Sequence, residues 1–386
     1  MKGRRIKRLL TALAVALALI SPNVVLTVPA QAASSYRVTF DANGGFGTMT
    51  SQSVSIRGSK LSSVKFIRDD FKFAGWALSP AGAVKYKNKA VFKPRKKTTL
   101  YAKWTLTATA PVLAGHTLGS LYWSDQFQGV AGSKINPANW TARYCGHADT
   151  NGGGTCHNGE PQWYTPDAIA LDGTTAGNAV ITTKRVTSAP PNSGDCLASP
   201  CHYTSGRFDT QGKVSFKFGY IEARIKMPTG GANWPAFWAL GDSISSVGWP
   251  LSGEIDIAEQ GGNLPMRAST AVHYSSVNQA TCCGNHRYIV QDLVNVANYQ
   301  TDFHTYGMAW LPSRMEFYVD RQKFYTVTPS DINGGAWVFD LPFFLILNNA
   351  TGGFGGDYTG WSQSQMTIDY VQAWTLDGQG ELIRHQ

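Results

Sequence analysis

Hydrophobic and polar positions along this chain alternate in short runs, with almost none of the three-to-four-residue repetition that marks a helix. YRVTF at 36–40, FKFAGWAL at 71–78 and TLYAKW at 99–104 read as strands, and Asn43-Gly44-Gly45 reads as a turn. Further along, FGYIEARIKM (218–227), RMEFYVD (314–320), FFLILNNA (343–350) and MTIDYVQAW (366–374) alternate or run apolar at strand length, with Gly, Asn, Asp and Pro between them. Such segments, spaced by about ten residues over roughly 255 residues, predict an all-β chain folded as one large antiparallel sandwich. Helix is expected at most for a turn or two, at DLVNVANY (292–299). The small, uncharged stretch TLTATAPVLAGHTLGS at 105–120 reads as a linker between a compact unit at 36–104 and a large unit at 121–376. Residues 377–386 are left as a C-terminal tail.

The two ends of the charge scale fall on different units. Residues 34–104 hold 14 Lys or Arg against three acids, whereas residues 105–386 hold 15 against 22. A basic small module joined to an acidic large one suggests attachment to an anionic surface in one and chemistry in the other. The basic unit has no aromatic-interleaved nucleic-acid motif, so nucleic acid is not an expected partner. Lys2, Arg4, Arg5, Lys7 and Arg8, an apolar run from Leu9 to Ile20 and Ala30-Gln31-Ala32 form the three parts of a secretory signal peptide over 1–32. A secreted, monomeric protein with no membrane span is therefore expected. Six cysteines in such a chain suggest disulfides, with proximity favouring Cys145–Cys156 and Cys196–Cys201 and leaving the adjacent Cys282 and Cys283 open. No C-x-x-C pattern supports a zinc site, and no cofactor is expected for catalysis.

The densest chemistry is in GEIDIAEQ at 253–260, which carries Glu254, Asp256 and Glu259 on one predicted strand. Side chains of a strand alternate, so Glu254 and Asp256 share a face and Glu259 belongs on the other. One bulged residue, Ile257 or Ala258, restores the parity and gathers all three acids. Like charges so gathered raise at least one carboxyl's pKa, and hydrolysis of a glycosidic bond needs one carboxyl to give a proton and another to attack. Solvated acidic faces and Ca²⁺ sites carry similar triplets. The aromatic run NWPAFWALG just upstream, with Trp234 and Trp238, speaks against a solvated face.

SDQFQG (124–129), GEPQWYT (159–165), YTSGRFDT (203–210), FGYIEARIKMPTG, NWPAFWALG, GEIDIAE, His273, FHTYGMAW (303–310), LNNATGG (347–353) and IDYVQAW occur in the order of a glycoside hydrolase of family 16. From about Trp123 to Trp374 the chain resembles the laminarinase-like branch of that family. The smaller unit, through VTFDANGG, FAGW and LYAKW, resembles an internalin-type B-repeat, a β-rich module of adhesive or spacing use. The first resemblance implies a concanavalin A-like β-jelly roll acting as a retaining endo-β-1,3-glucanase on laminarin-like polymers. It implies Glu254 as nucleophile, Glu259 as general acid/base and Asp256 as assistant to the nucleophile. Trp234 and Trp238 would line the cleft and His273 would stand near the reacting sugar. Asn158 and Glu160 would contact distal sugars. Arg207 either binds sugar hydroxyls or balances the acids as an ion pair. Asp369 would ligate a structural Ca²⁺, although Gln126 replaces an acid common in the family. The alternatives are the same chemistry on a mixed-linkage β-1,3-1,4-glucan or a galactan, and a noncatalytic β-glucan-binding or adhesion protein. For the basic module the expected ligand is an anionic cell-wall polymer.

Overall fold

The computed structural model describes residues 34–385 apart from 46, 69, 145–159, 175–176, 189–202, 278–284, 295–296 and 358–359. The expected signal peptide, all six cysteines and Asn158 lie outside the described residues.

The alternation of the first unit builds a small sheet in the order Gln52–Ser55, Ser35–Asp41, Thr98–Leu106, Phe71–Ala77. Its inward positions, Val38, Val54, Trp76 and Leu100, form a core of their own, flanked by Phe40, Phe73 and Trp104. The segment read as a linker is docked rather than free. Strand Thr98–Leu106 ends inside it, strand Leu118–Asp125 begins inside it, and Leu113 is buried against Tyr220, Ala309 and Trp374. The Asp70 carboxylate accepts from Gln126 Nε2 at 2.7 Å and Gln372 Nε2 at 3.1 Å, and burial raises its pKa. An acid at position 126 would face that carboxylate, which gives the glutamine a physical reason.

The larger unit is a sandwich of two sheets, ten-stranded and nine-stranded among the described residues. The ten-stranded sheet is organised by Gln363–Leu376, whose fourteen residues pair with Leu118–Asp125, Ala179–Arg185 and Gly219–Lys226. The nine-stranded sheet runs His286–Val294, Arg267–Ser275, Glu254–Glu259, Asn233–Gly241, Phe343–Thr351, Arg207–Asp209, Thr141–Ala142 along its main path. Between the sheets, Phe237, Ile255, Val272 and Leu347 meet Ile221, Met308, Phe317 and Val371 in one fully buried core. Two local expectations are corrected. Residues 292–294 finish strand His286–Val294, whose pairing with Arg267–Ser275 continues to Arg267 opposite Val294. Leu293 and Ala297 both lean on the core, one at the end of that strand and one beyond it. The C-terminal tail is no loose end either: Glu381–Arg384 pairs with Val214–Lys217, and Leu382 packs on the core. One helical turn, Ile244–Val247, and three 3₁₀ turns are the helix found among the described residues. No helix among them is long and apolar enough to cross a membrane.

Candidate active site

The acids sit on Glu254–Glu259, in the middle of the nine-stranded sheet. Gly253, at φ +78°, starts the strand where a Cβ would meet Val338 and Phe343 at 2.7 and 3.0 Å, so glycine lets the chain enter close to the core. Alternation then holds for three residues: Ile255 is buried in the core, while Glu254 and Asp256 face the outer side. At Ile257 it breaks. Phe237 pairs with Ala258 and Trp238 with Asp256, leaving Ile257 without an opposite residue. The pairing with Arg267–Ser275 slips at the same place, from Asp256–Ala271 to Glu259–Ser269. Ile257 and Ala258 are consecutive and both buried, and Glu259 emerges on the face of Glu254 and Asp256.

The neighbouring strands supply the partners. Asn233–Gly241 brings Trp234 and Trp238 to the same face, with Ala236 between them and opposite Glu259. Trp234 Nε1–H donates to Glu259 Oε1 at 2.7 Å, and Gly353 leaves room for its ring, since a Cβ there would lie 2.8 Å from it. Trp249 Nε1–H donates to Glu254 Oε2 at 2.7 Å. His273, opposite Glu254 on the next strand, brings Nε2 to 3.0 Å from Asp256 Oδ2. That approach is close but poorly aligned, because Asp256 Oδ2 has no in-line donor. Oxygens of Glu254 and Asp256 and a nitrogen of His273 lie within 4.8 Å of one another.

Burial is the largest cause of the electrostatics. It raises Glu254 from 4.5 to about 8, aided by the Asp256 charge, against the counter-effects of His273 and the Trp249 hydrogen bond. Asp256 is pushed well above the usual aspartate range by burial and by Glu259, while a hydrogen bond from Glu254 opposes the shift. Glu259 is raised by burial against the Trp234 hydrogen bond and the nearby His273. All three shifts run upward and the acids repel one another's charge, so the cluster favours carrying fewer than three charges, with one acid able to give a proton while another is ionised.

Other expected residues fall around this centre. Trp238 Nε1–H donates to Asn348 Oδ1 at 2.6 Å, and the Arg207 guanidinium lies 4.9 Å from the Trp238 ring centre. Among the described residues Arg207 forms no ion pair, and its buried Nε lacks a partner. Glu160 is buried, accepts from Gln162 Nε2 at 2.5 Å and lies near Tyr164, whose pKa its charge helps to raise. Tyr164 and Trp163 pack with Trp234, so Glu160 borders the tryptophan end of the face. A groove of about 240 Å³ runs over Trp234, Glu259, Arg267, His273, Tyr288 and Phe354. A larger cavity of about 310 Å³ lies elsewhere, between Gly44 and Arg68 of the small unit and Tyr122 and Arg384, and no carboxylate lines it. The chemistry belongs to the groove.

Asp369 is not part of this site. It lies on Gln363–Leu376 of the opposite sheet, where Arg224 Nη1 reaches its Oδ2 at 2.5 Å. A carboxylate so committed to a guanidinium does not fit the expected structural Ca²⁺. The sequence reading also missed Trp249, Asn348, His286 and Tyr288. Asn348 sat in the quoted string LNNATGG, but which ring it meets depends on strand register, and Trp249 lay between the quoted strings.

Residues 167–372 match Glycosyl hydrolases family 16, and residues 36–103 match the Listeria-Bacteroides repeat domain. The chain is 32% identical over 265 residues to a beta-glucanase of Rhodothermus marinus, covering 66% of this chain and 84% of that one. It is 31% identical over 276 residues to a glucan endo-1,3-beta-glucosidase of Cryptopygus antarcticus, covering 67% and 93%. Among solved structures, the endo-beta-1,3-glucanase of Pyrococcus furiosus superposes with a TM-score of 0.58 at 34% identity, covering 68% of this chain and 97% of that one. With its jelly-roll sandwich and an acid triplet on one strand, the chain belongs to glycosyl hydrolase family 16 and is a glycoside hydrolase.

Proposed function

We propose that this enzyme is an exported, retaining endo-β-1,3-glucanase that cuts laminarin-like chains at internal bonds. The observation that carries the reading is the bulge at Ile257, which gathers Glu254, Asp256 and Glu259 on one face, brings Glu259 to the groove and leaves each glutamate on a tryptophan N–H. The named activities of the relatives favour a β-1,3-glucan. In the first step Glu259 gives its proton to the glycosidic oxygen while a Glu254 oxygen bonds to the anomeric carbon and the leaving chain departs. Glu254 must be ionised at that moment. Its proton passes to Asp256, ionised before the transfer, to which Glu254 donates a hydrogen bond. In the second step Glu259 takes a proton from water, whose oxygen displaces Glu254, and the β configuration returns. Trp234 and Trp238 offer flat faces to the axial C–H bonds of sugar rings, and Arg207, free of any carboxylate among the described residues, is left to donate to hydroxyls.

The test is release of reducing ends from laminarin. Glu254→Gln and Glu259→Gln are each expected to lower kcat by about 10³-fold or more. Wild-type turnover in either variant refutes the roles, and laminarin binding without release by the wild type favours the noncatalytic reading. Curdlan, barley glucan, lichenan and agarose scored beside laminarin separate the β-1,3 reading from mixed-linkage glucan and galactan. We further propose that the basic module, with its 14 Lys or Arg against three acids, holds the enzyme near anionic cell-wall polymers.

A further inference from the structure

His286 stands at the start of the sheet's edge strand, two strands from the acids, yet it closes a ring of contacts between two of them. Its Nε2 lies 2.8 Å from His273 Nδ1 in an aligned hydrogen bond, and His273 Nε2 faces Asp256. The two imidazole planes differ by 13° and their centres are 5.0 Å apart, so the rings meet edge to edge in nearly one plane. The His286 ring centre lies 4.5 Å from that of Trp249, the planes tilted by 42°, and the Trp249 N–H is bonded to Glu254. The circuit is Glu254, Trp249, His286, His273, Asp256.

We propose that His286 is a positioning residue for the reaction: its Nε2 orders the His273 ring against Asp256, and its ring, packed on Trp249, braces that tryptophan against Glu254. The idea rests on the proton exchange between Glu254 and Asp256 proposed above. An imidazole–imidazole hydrogen bond holds one proton, carried by either ring. When Asp256 is protonated, His273 can offer it a bare Nε2 and point Nδ1–H at His286. When Asp256 is ionised, His273 turns Nε2–H toward it and accepts at Nδ1 from His286. Only a neutral partner can serve both states. Burial, the nearby His273 and Arg287 hold His286 below its ordinary range, which keeps it neutral. The titratable and charged groups around the ring are His273 on the adjacent strand and Arg287 and Tyr288 on its own, with Asp256 and Glu254 beyond His273.

The experiment compares wild type, His286→Phe and His286→Asn, reading laminarin kcat, KM and the pH–rate profile, with ¹⁵N spectra of the histidine rings in the resting enzyme. Phenylalanine keeps a flat ring on Trp249 but has no nitrogen, and asparagine restores a polar partner. In His286→Phe, kcat is expected to fall about tenfold or more, KM to stay within about threefold and the pH profile to move, with partial recovery in His286→Asn. The His273 ring signals should change from one ordered tautomer to a mixture in the Phe variant. An unchanged kcat and pH profile overturns the proposal. So does a loss confined to KM, which would make His286 a sugar platform, or an Asn variant no better than Phe. If the wild type hydrolyses no glucan, the hydrolase reading fails on its own, and the nitrogen spectra still decide: unchanged His273 signals overturn the positioning role. Should His286→Phe not fold, His286→Leu takes its place in the same spectra.

Discussion

Glu254 bears two opposed demands, since burial holds its proton and the reaction needs it ionised. The opposition has a thermodynamic sign. Its folded value of about 8 lies above the ordinary 4.5, so its contribution to stability is full below about pH 4.5 and is lost as pH rises through about 8. Glu254→Gln removes that dependence. Its melting temperature relative to wild type should therefore be distinctly higher at about pH 9 than at about pH 5, by several degrees. A difference that stays constant with pH would show that the glutamate is not held protonated by the fold. The acids themselves were legible in the sequence because chemistry of this kind announces itself by charge density on a predicted strand. Their supports were not. Trp249 reaches Glu254 from outside the strand, and His286 reaches Asp256 only through His273, a link made by pairing across two strands.

At the level of the element, the bulge decides whether the strand is a floor or a site. Inserting one alanine between Ala258 and Glu259 should turn Glu259 toward the core, where a carboxyl has no water and no Trp234 N–H. The insertion is expected to abolish turnover and to lower the melting temperature by roughly 5 °C or more. Retained activity would mean that parity is set by something other than the extra residue. Need for a bulge followed from side-chain parity alone, but the choice of Ile257 required the strand partners at Phe237 and Trp238. Alternation also announced most strands, whereas it gave no warning at two places. Leu293 and Ala297, four residues apart, both lean on the core, one at a strand end and one beyond it, and so mimic a helix. Glu381–Arg384 is too short to alternate visibly and is a strand only because Val214–Lys217 offers it an edge.

Across the whole molecule, opposite charge balances meet at a docked seam. The Asp70 carboxylate accepts from Gln126 and Gln372 of the larger unit, a direct contact between the basic module and the hydrolase. The module's lysines and arginines should carry the full chain onto anionic cell walls, with binding that weakens steadily as salt rises toward about 0.5 M. Binding indifferent to salt would rule out a charge-driven mechanism. The central claim, that one strand presents a nucleophile and a proton donor to the same glycosyl carbon, is tested most directly by trapping. An activated 2-deoxy-2-fluoro β-1,3-glucoside, which slows the second step, should leave one glycosyl group on the intact enzyme, and peptide mass spectrometry should find it on Glu254. A label on Glu259, or none while hydrolysis proceeds with inversion, would contradict the account.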